Sequence, residues 1–318
     1  MTRIFLKGVS STMKKMIIVV TSLIMICLTG GLILYEKSDP IQLPHLSIQD
    51  SQNKPQQPQQ LQPILVDENI GYSLQNDELQ ITFNQGEDWT KVPIEKDLLF
   101  MENFVGSNQE LVDHSYLISE ERTIFLHMEQ EGYVEDNRVV VTYSEDQGNT
   151  WENSVVAESQ PFIGFQKIDF LSDQFGYIIF TGERVMSEEA SYIYITNDGG
   201  ANWELTNHPD TTNLVYHGGF IDEMTGFLSV GYRIPDQPDL HVTQDGGNTW
   251  HKAQINVPAE YSEIFLIAEM PYQESDHLTV LVNQGPEGDY LGGRVKGKFI
   301  SKDKGMTWEF AEEVEPDE

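Results

Sequence analysis

A short unit recurs along the chain and limits the possible folds more than any other feature. It consists of Ser or Thr, Asp two residues later, Gly after two more, and Trp three residues after the Gly. Four well-preserved copies contain Asp146, Gly148 and Trp151; Asp198, Gly200 and Trp203; Asp245, Gly247 and Trp250; and Asp303, Gly305 and Trp308. A degenerate fifth copy has Asn84, Gly86 and Trp89. The five tryptophans of the chain all lie in these copies, 47 to 62 residues apart, which indicates a repeat architecture.

Each position of the unit has a local physical reason. The Ser or Thr ends a β-rich segment, as in residues 139–144 and 192–196. The Asp can accept hydrogen bonds from N–H groups of a turn, and the Gly supplies a backbone conformation that side chains disfavour. The Trp then begins the next strand and turns a large ring towards the core. The unit therefore predicts a rigid β-hairpin connection.

A second pattern precedes three of the copies and completes the repeat. An acidic turn leads through Gly and an aromatic residue into an apolar strand, at residues 67–72, 173–177 and 222–227. Four antiparallel strands in every unit of about 50 residues are typical of a β-propeller. We therefore predict an all-β fold of about five blades, or six if residues 95–116 form another, with ring closure by a strand from one terminus.

The repeated unit resembles the Asp-box, or BNR, repeat of sialidases, sortilin-type receptors and the photosystem II assembly factor family. The resemblance covers about residues 64–312. In that family the box lies on the outer hairpin of each blade, away from the central channel. The resemblance therefore implies structural roles for the residues of the unit, and it does not make the aspartates catalytic.

The N-terminal residues predict a membrane segment and a spacer ahead of the repeats. Residues 16–35 are apolar and uncharged, and 20 residues of helix rise about 30 Å, enough to cross a bilayer. Basic residues within 1–15 place that end in the cytoplasm by the positive-inside rule. Residues 36–63 are rich in Gln and Pro, as in extended spacers. The repeats occupy 64–312 and residues 313–318 form an acidic tail.

Two alternatives at the N-terminus stay open. Cleavage of the segment would release a secreted protein instead of leaving a signal anchor, and Met13 followed by two lysines could be the true start. The single cysteine, Cys27, lies inside the apolar run, so no disulfide can form in the exported part. A single-pass protein of a Gram-positive cell membrane, with its C-terminal domain outside, is the predicted setting.

The charge excludes some partners. The chain has 19 Lys and Arg against 51 Asp and Glu, a formal net charge of −32. A nucleic-acid binder needs a basic face, and so does a protein that docks on anionic lipid. Contact with the membrane is therefore expected through the N-terminal helix only, and the expected partner is an extracellular protein, peptide or glycan.

No catalytic set accompanies the repeats. The run 232–235 resembles the Phe-Arg-Ile-Pro motif of sialidases, and it makes Arg233 a weak candidate for ligand binding. The other arginines that a sialidase needs do not occupy corresponding positions of the units. The eight histidines form no cluster with metal-ligand spacing, so we predict no metal site and no cofactor, with Ca²⁺ left open.

These observations favour a non-enzymatic binding or assembly module, with no catalytic residues, on a membrane-anchored propeller. The alternative is a glycoside hydrolase, sialidase-like in fold, with an unrecognised active site. Hydrolysis of this kind needs only a suitable carboxylate pair, and an acidic chain offers many.

Overall fold

The computed structural model of the chain describes Thr21, Ser22, Met25 and residues 61–100, 110–129, 137–159, 164–185 and 188–315. The chain divides into two units, residues 1–59 and residues 60–318. The strands among the described residues all lie in the second unit and form five sheets.

The strands follow the repeats in chain order. The first sheet contains β1 (Ile64–Leu65), β2 (Gly71–Ser73), β3 (Glu78–Thr82) and β4 (Thr90–Glu95). The second contains β5 (Tyr116–Ile118), β6 (Thr123–Glu129), β7 (Arg138–Ser144) and β8 (Glu152–Ala157). The third contains β9 (Gln166–Phe170), β10 (Gly176–Val185), β11 (Glu188–Thr196) and β12 (Glu204–Leu205). The fourth contains β13 (Leu214–Phe220), β14 (Gly226–Gly231), β15 (Asp239–Thr243) and β16 (His251–Lys252).

The fifth sheet is larger. It contains β17 (Gln254–Asn256), β18 (Phe265–Ala268), β19 (Tyr272–Glu274), β20 (His277–Gln284), β21 (Lys296–Ser301) and β22 (Thr307–Val314). Short 3-10 helices occur at Gln75–Asp77, Lys96–Leu99, Ala259–Tyr261 and Tyr290–Gly293. Within each of the first four sheets, neighbouring strands are antiparallel and consecutive in the chain.

The prediction of an all-β fold built from four-stranded sheets is confirmed, and the arrangement is consistent with a β-propeller. One strand of the fifth sheet was not predicted. The extra strand β17 comes from the connection between the fourth and fifth sheets and pairs in parallel with β22. Between β4 and β5, the described residues include a 3-10 helix but no strand of a sixth sheet.

The five turns between the last two strands of each sheet share one hydrogen-bond pattern. In the second sheet, the Ser144 hydroxyl donates to Asp146 Oδ1 over 2.8 Å and accepts from the Gly148 amide over 2.8 Å. Asp146 then accepts from the backbone amide and the hydroxyl of Thr150. These two bonds from Thr150 are the main cause that lowers the pKa of Asp146. Gly148 has a φ of +83°, which favours glycine.

From the second sheet onward, the turns also contact the preceding sheet or the residues beside it. A Cβ on Gly148 would lie 2.8 Å from Thr90 of the first sheet, and one on Gly305 would lie 2.4 Å from the Phe227 ring of the fourth sheet. Trp308 is fully buried and meets the Phe227 ring edge to face at 6.1 Å. The conserved shape of the turn therefore serves packing between consecutive sheets.

Four apolar clusters hold consecutive sheets together. They centre on Ile81 and Phe125 between the first and second sheets, and on Ile168 and Val141 between the second and third. Ile179 and Leu228 join the third to the fourth, and Phe227 and Phe299 join the fourth to the fifth.

The predicted membrane helix over residues 16–35 is not supported. Most of that segment lies outside the described residues. Its three described residues, Thr21, Ser22 and Met25, are helical. Within the described residues there is no helix with the length and apolar character that a membrane span requires.

Candidate functional site

Five ionisable side chains from four consecutive sheets lie close enough to act on one another electrostatically. Four of them lie on or just before the first strand of their sheet, and the fifth follows β18 of the fifth sheet. Lys167 and Asp169 lie on β9, and His217 lies on β13. His114 precedes β5, and Glu269 directly follows β18. We call these five residues the first-strand cluster.

Direct contacts connect the strands that carry the cluster. The Ile168 amide of β9 donates to the His114 carbonyl over 2.9 Å. The Lys167 ammonium donates to the carbonyl of Gly218 on β13 over 3.1 Å. His114 has a φ of +63°, an uncommon value for a residue other than glycine. The strands from the second, third and fourth sheets are therefore tied together at this point.

Two glycines let the strands approach so closely. Gly218 and Gly219 are buried in β13, and a Cβ on Gly219 would lie 2.5 Å from Tyr177 Oη. A Cβ on Gly218 would lie 2.7 Å from Ile179 of the third sheet. The Gly-rich run at 217–220 thus marks a close approach of neighbouring sheets, one of the uses of glycine within a strand.

Asp169 is held by its own sheet. Its Oδ1 accepts from the Phe170 amide over 2.8 Å, and its Oδ2 accepts from Tyr177 Oη over 3.2 Å. Burial, followed by the charge of Asp169, raises the pKa of Tyr177, so this phenol stays a hydrogen-bond donor. Both oxygens of Asp169 are therefore fixed in direction.

Glu269 has a different partner. The Lys296 ammonium on β21 lies 2.5 Å from Glu269 Oε1, and both side chains are about three-quarters covered by protein. Partly buried ion pairs are screened less than exposed ones. This pair therefore ties Glu269, at the end of β18, to Lys296 of β21.

His217 experiences the charges of the whole group. It remains in contact with solvent, yet the surrounding protein desolvates the ring enough to lower its pKa. Glu269 opposes this shift, whereas Lys167, Lys296 and His114 add to it. Desolvation also lowers the pKa of Lys167, and Asp169 opposes that shift. These mutual effects place the cluster in one electrostatic environment.

The residues singled out from the sequence lie elsewhere. The Asp, Gly and Trp residues of the repeated unit lie at the turns between the last two strands of each sheet, whereas the cluster lies on or beside β5, β9, β13 and β18. Arg233 is exposed in the turn between β14 and β15 and is not among the groups that act on His217. Within the described residues, no group of three or more His, Cys, Asp or Glu is placed to hold a metal ion.

The sequence does carry a weak signal for the cluster. His114, Lys167, His217 and Glu269 lie 33 to 39 residues before the Trp of their own unit. Alignment of the units on their tryptophans would have brought them into neighbouring columns. The residue types differ from unit to unit, so no motif draws attention to them.

The comparisons with known proteins are distant. No family model matches the chain, so membership of the Asp-box, or BNR, family is not confirmed. Vacuolar protein sorting/targeting protein 10 of Schizosaccharomyces pombe is 25% identical over 126 residues, which is 38% of this chain. The chain spans only 8% of the length of that relative.

The similar solved structures include propellers that cleave glycosidic bonds. The GH74 xyloglucanase from Xanthomonas campestris has a TM-score of 0.40 and 14% identity, over 74% of this chain and 34% of that one. The NanB sialidase from Streptococcus pneumoniae has a TM-score of 0.35 and 16% identity, over 66% and 32%. A protein of unknown function from Dyadobacter fermentans has a TM-score of 0.39 and 16% identity, over 64% and 70%.

Two predictions from the sequence are corrected by these findings. The chain was predicted to be a non-enzymatic binding or assembly module, and the solved structures it resembles are mostly glycoside hydrolases. The prediction that it is not an enzyme is wrong for the same reason. The likeness concerns the fold alone, so any reaction has to be argued from the side chains. Membrane attachment and a Gram-positive source receive no support.

Proposed function

We propose that the chain is a glycoside hydrolase whose reacting groups are those of the first-strand cluster. The observation that carries the proposal is the placement of two carboxylates, Asp169 and Glu269, on sheets that flank His217 of the fourth sheet. Cleavage of a glycosidic bond requires a group that activates water and a group that protonates the leaving oxygen. The cluster contains candidates for both tasks.

Each group has a role that its contacts suggest. Glu269 would take the proton of the attacking water while the water oxygen bonds to the anomeric carbon. His217 would give its proton to the leaving oxygen as the glycosidic bond breaks. Because desolvation lowers the pKa of His217, the protonated ring becomes abundant only at acidic pH, and cleavage should be fastest there. Asp169, fixed by Tyr177 and the Phe170 amide, would stabilise the positive charge that develops on the sugar ring.

This pair differs from a chance pair of acidic residues. The chain has 51 Asp and Glu residues, so nearness of two carboxylates alone means little. Asp169 and Glu269 are instead half-buried and hydrogen-bonded or ion-paired. Glu269 acts on His217, whose pKa is perturbed, and Asp169 acts on Lys167, which in turn acts on His217. Perturbed titratable groups of this kind occur preferentially at functional sites.

A site of this kind requires that the sheets surround a common axis. We infer that the five sheets are the blades of a propeller, with the first strands nearest to its axis. The contacts among β9, β13 and the residues beside β5 and β18 support this arrangement. Ligands of propellers and barrels commonly bind where several elements converge.

The test is a cleavage assay with the full chain. We expect the chain to release the chromophore from at least one member of a panel of aryl glycosides, including a xyloside, an arabinofuranoside, a sialoside and a xyloglucan oligosaccharide. The substitution Glu269→Gln should lower kcat by roughly 10²-fold to 10⁴-fold, the usual contribution of a general base.

A second carboxylate in the same sheet provides the control. Glu274 pairs with Lys298 over 2.9 Å in the fifth sheet but is not among the groups that act on His217. Glu274→Gln should therefore leave kcat unchanged. The proposal fails if no glycoside in the panel is cleaved, or if Glu269→Gln and Glu274→Gln have the same effect.

A further inference from the structure

Lys167 lacks the carboxylate partner that other lysines of this chain have. Among the described lysines, an Asp or Glu oxygen lies within 4.0 Å of the ammonium groups of Lys91, Lys96, Lys252, Lys296 and Lys298. Lys302 and Lys304 are exposed and solvated in a turn. Lys167 is half-buried, and among the described residues no carboxylate lies within ion-pair distance of it.

The carboxylate nearest in sequence faces other partners. Asp169 lies two residues further along β9 and therefore points to the same side of the sheet. Its two oxygens accept from the Phe170 amide and the Tyr177 hydroxyl, not from Lys167. Asp169 acts on Lys167 only through its charge. In a chain with 51 acidic and 19 basic residues, a half-buried ammonium with no carboxylate in direct contact is unexpected.

The surroundings of Lys167 leave hydrogen-bonding capacity unused. The ammonium has three N–H donors, and the Gly218 carbonyl accepts one of them over 3.1 Å. The Tyr177 ring centre lies 5.5 Å away, within the range of a cation–π contact. These two contacts hold the ammonium in place beside His217 without neutralising it.

We infer that the missing counter-charge belongs to the ligand, and that the site takes a sugar with an anionic substituent. This inference rests on the proposed function, because it names the substrate class of the same site. A lysine is a point charge without the planar fork of arginine, so a carboxylate and a sulfate ester are both suitable partners. In contrast, the Glu269 charge is already balanced by Lys296.

The binding test uses monosaccharides, which have no glycosidic bond to cleave. Galacturonate, galactose 6-sulfate and galactose differ only at carbon 6, and glucuronate with glucose provides the same contrast in a second configuration. Titration of the full chain, followed by NMR, should show binding of the anionic sugars at least tenfold tighter than that of their neutral counterparts. Comparison of galacturonate with the sulfate ester identifies the preferred anion.

Substitutions assign that preference to one residue. Lys167→Gln should abolish the tenfold preference, and Lys167→Arg should retain most of it because the charge remains. Lys302→Gln removes the same charge from an exposed turn and should change nothing. Thermal unfolding of each variant confirms that the chain is folded.

The outcomes separate the inference from the proposed function. Equal binding of anionic and neutral sugars, or a preference that survives in Lys167→Gln, overturns the inference and leaves hydrolysis of neutral glycosides intact. A Lys167-dependent preference in a chain that cleaves no glycoside, neutral or anionic, overturns the proposed function and supports the anion site.

Discussion

Replacement of Gly305 by alanine measures how strongly a turn of the repeated unit depends on contact with the preceding sheet. Gly305 has a φ of +90°, where a residue with a Cβ loses roughly 1–2 kcal/mol. The new Cβ would also lie 2.4 Å and 2.7 Å from two carbons of the Phe227 ring. Phe227 is fully buried, and its ring packs against Trp308, so it has no free space to move into.

The expected loss is the sum of two effects. Overpacking of a core contact typically costs about 1–3 kcal/mol. Together with the backbone effect, Gly305→Ala should reduce the free energy of unfolding by roughly 2–5 kcal/mol. Equilibrium unfolding in urea, followed by tryptophan fluorescence, measures this quantity.

Gly292 provides a matched control. It has a similar φ of +83°, but a Cβ there would have no atom within 4 Å. Gly292→Ala should therefore show the backbone effect alone, roughly 1–2 kcal/mol. Equal losses for Gly305→Ala and Gly292→Ala would refute the argument that the turn is held by contact between sheets.

A double variant tests the contact itself. Phe227→Leu removes the ring carbons that the new methyl group would meet. We expect the combination of Gly305→Ala with Phe227→Leu to cost at least about 0.5 kcal/mol less than the sum of the single substitutions, as for residues in direct contact. Additive losses would place the strain somewhere other than this contact.

Two further predictions concern pH and the free energy of unfolding. Burial acts to raise the pKa of Asp303, but the hydrogen bonds that it accepts from Thr307 and Ser301 together outweigh burial and lower this pKa. Asp303→Ala should cost about 1–3 kcal/mol at neutral pH, and urea titrations should show this cost shrinking as the pH falls below 3.8. Burial lowers the pKa of His127 from 6.5 to about 4, so the unfolded chain binds this proton more readily. The free energy of unfolding of the wild type should therefore fall by roughly 3 kcal/mol more than that of His127→Gln between pH 6.5 and pH 4. Parallel pH profiles of the two proteins would contradict this.

The repeated turns could be predicted from the sequence because each is decided by residues next to one another. Ser144, Asp146 and Gly148 form their hydrogen bonds within the same five residues, so the pattern in the chain is also the pattern in space. The Trp at the end of each unit fixes where the next strand begins. Repetition at intervals of about 50 residues then predicted the sheets.

The first-strand cluster could not be predicted in the same way. Lys167, His217 and Glu269 come from three different sheets, and each is an ordinary residue in its local sequence. Their neighbours are decided by the packing of whole sheets, which depends on contacts such as Gly219 against Tyr177. Only a similar distance from the tryptophans, 33 to 39 residues, relates them. The tetrapeptide that contains Arg233 was more conspicuous but less informative.

The separation of turns from first strands explains why one part of the repeat is uniform and the other is not. In the second to fifth sheets, the turns between the last two strands contact the preceding sheet through Gly and Trp. A change there, as at Gly305 against Phe227, disturbs the core. Side chains at the first strands of the cluster are half-buried or exposed, so different residues can occupy them at little cost in packing. A fold that is stabilised at its turns therefore leaves these positions available for chemistry. A site that is assembled once from several repeats needs a different residue from each repeat. The cluster meets this requirement with His114, Lys167, His217 and Glu269.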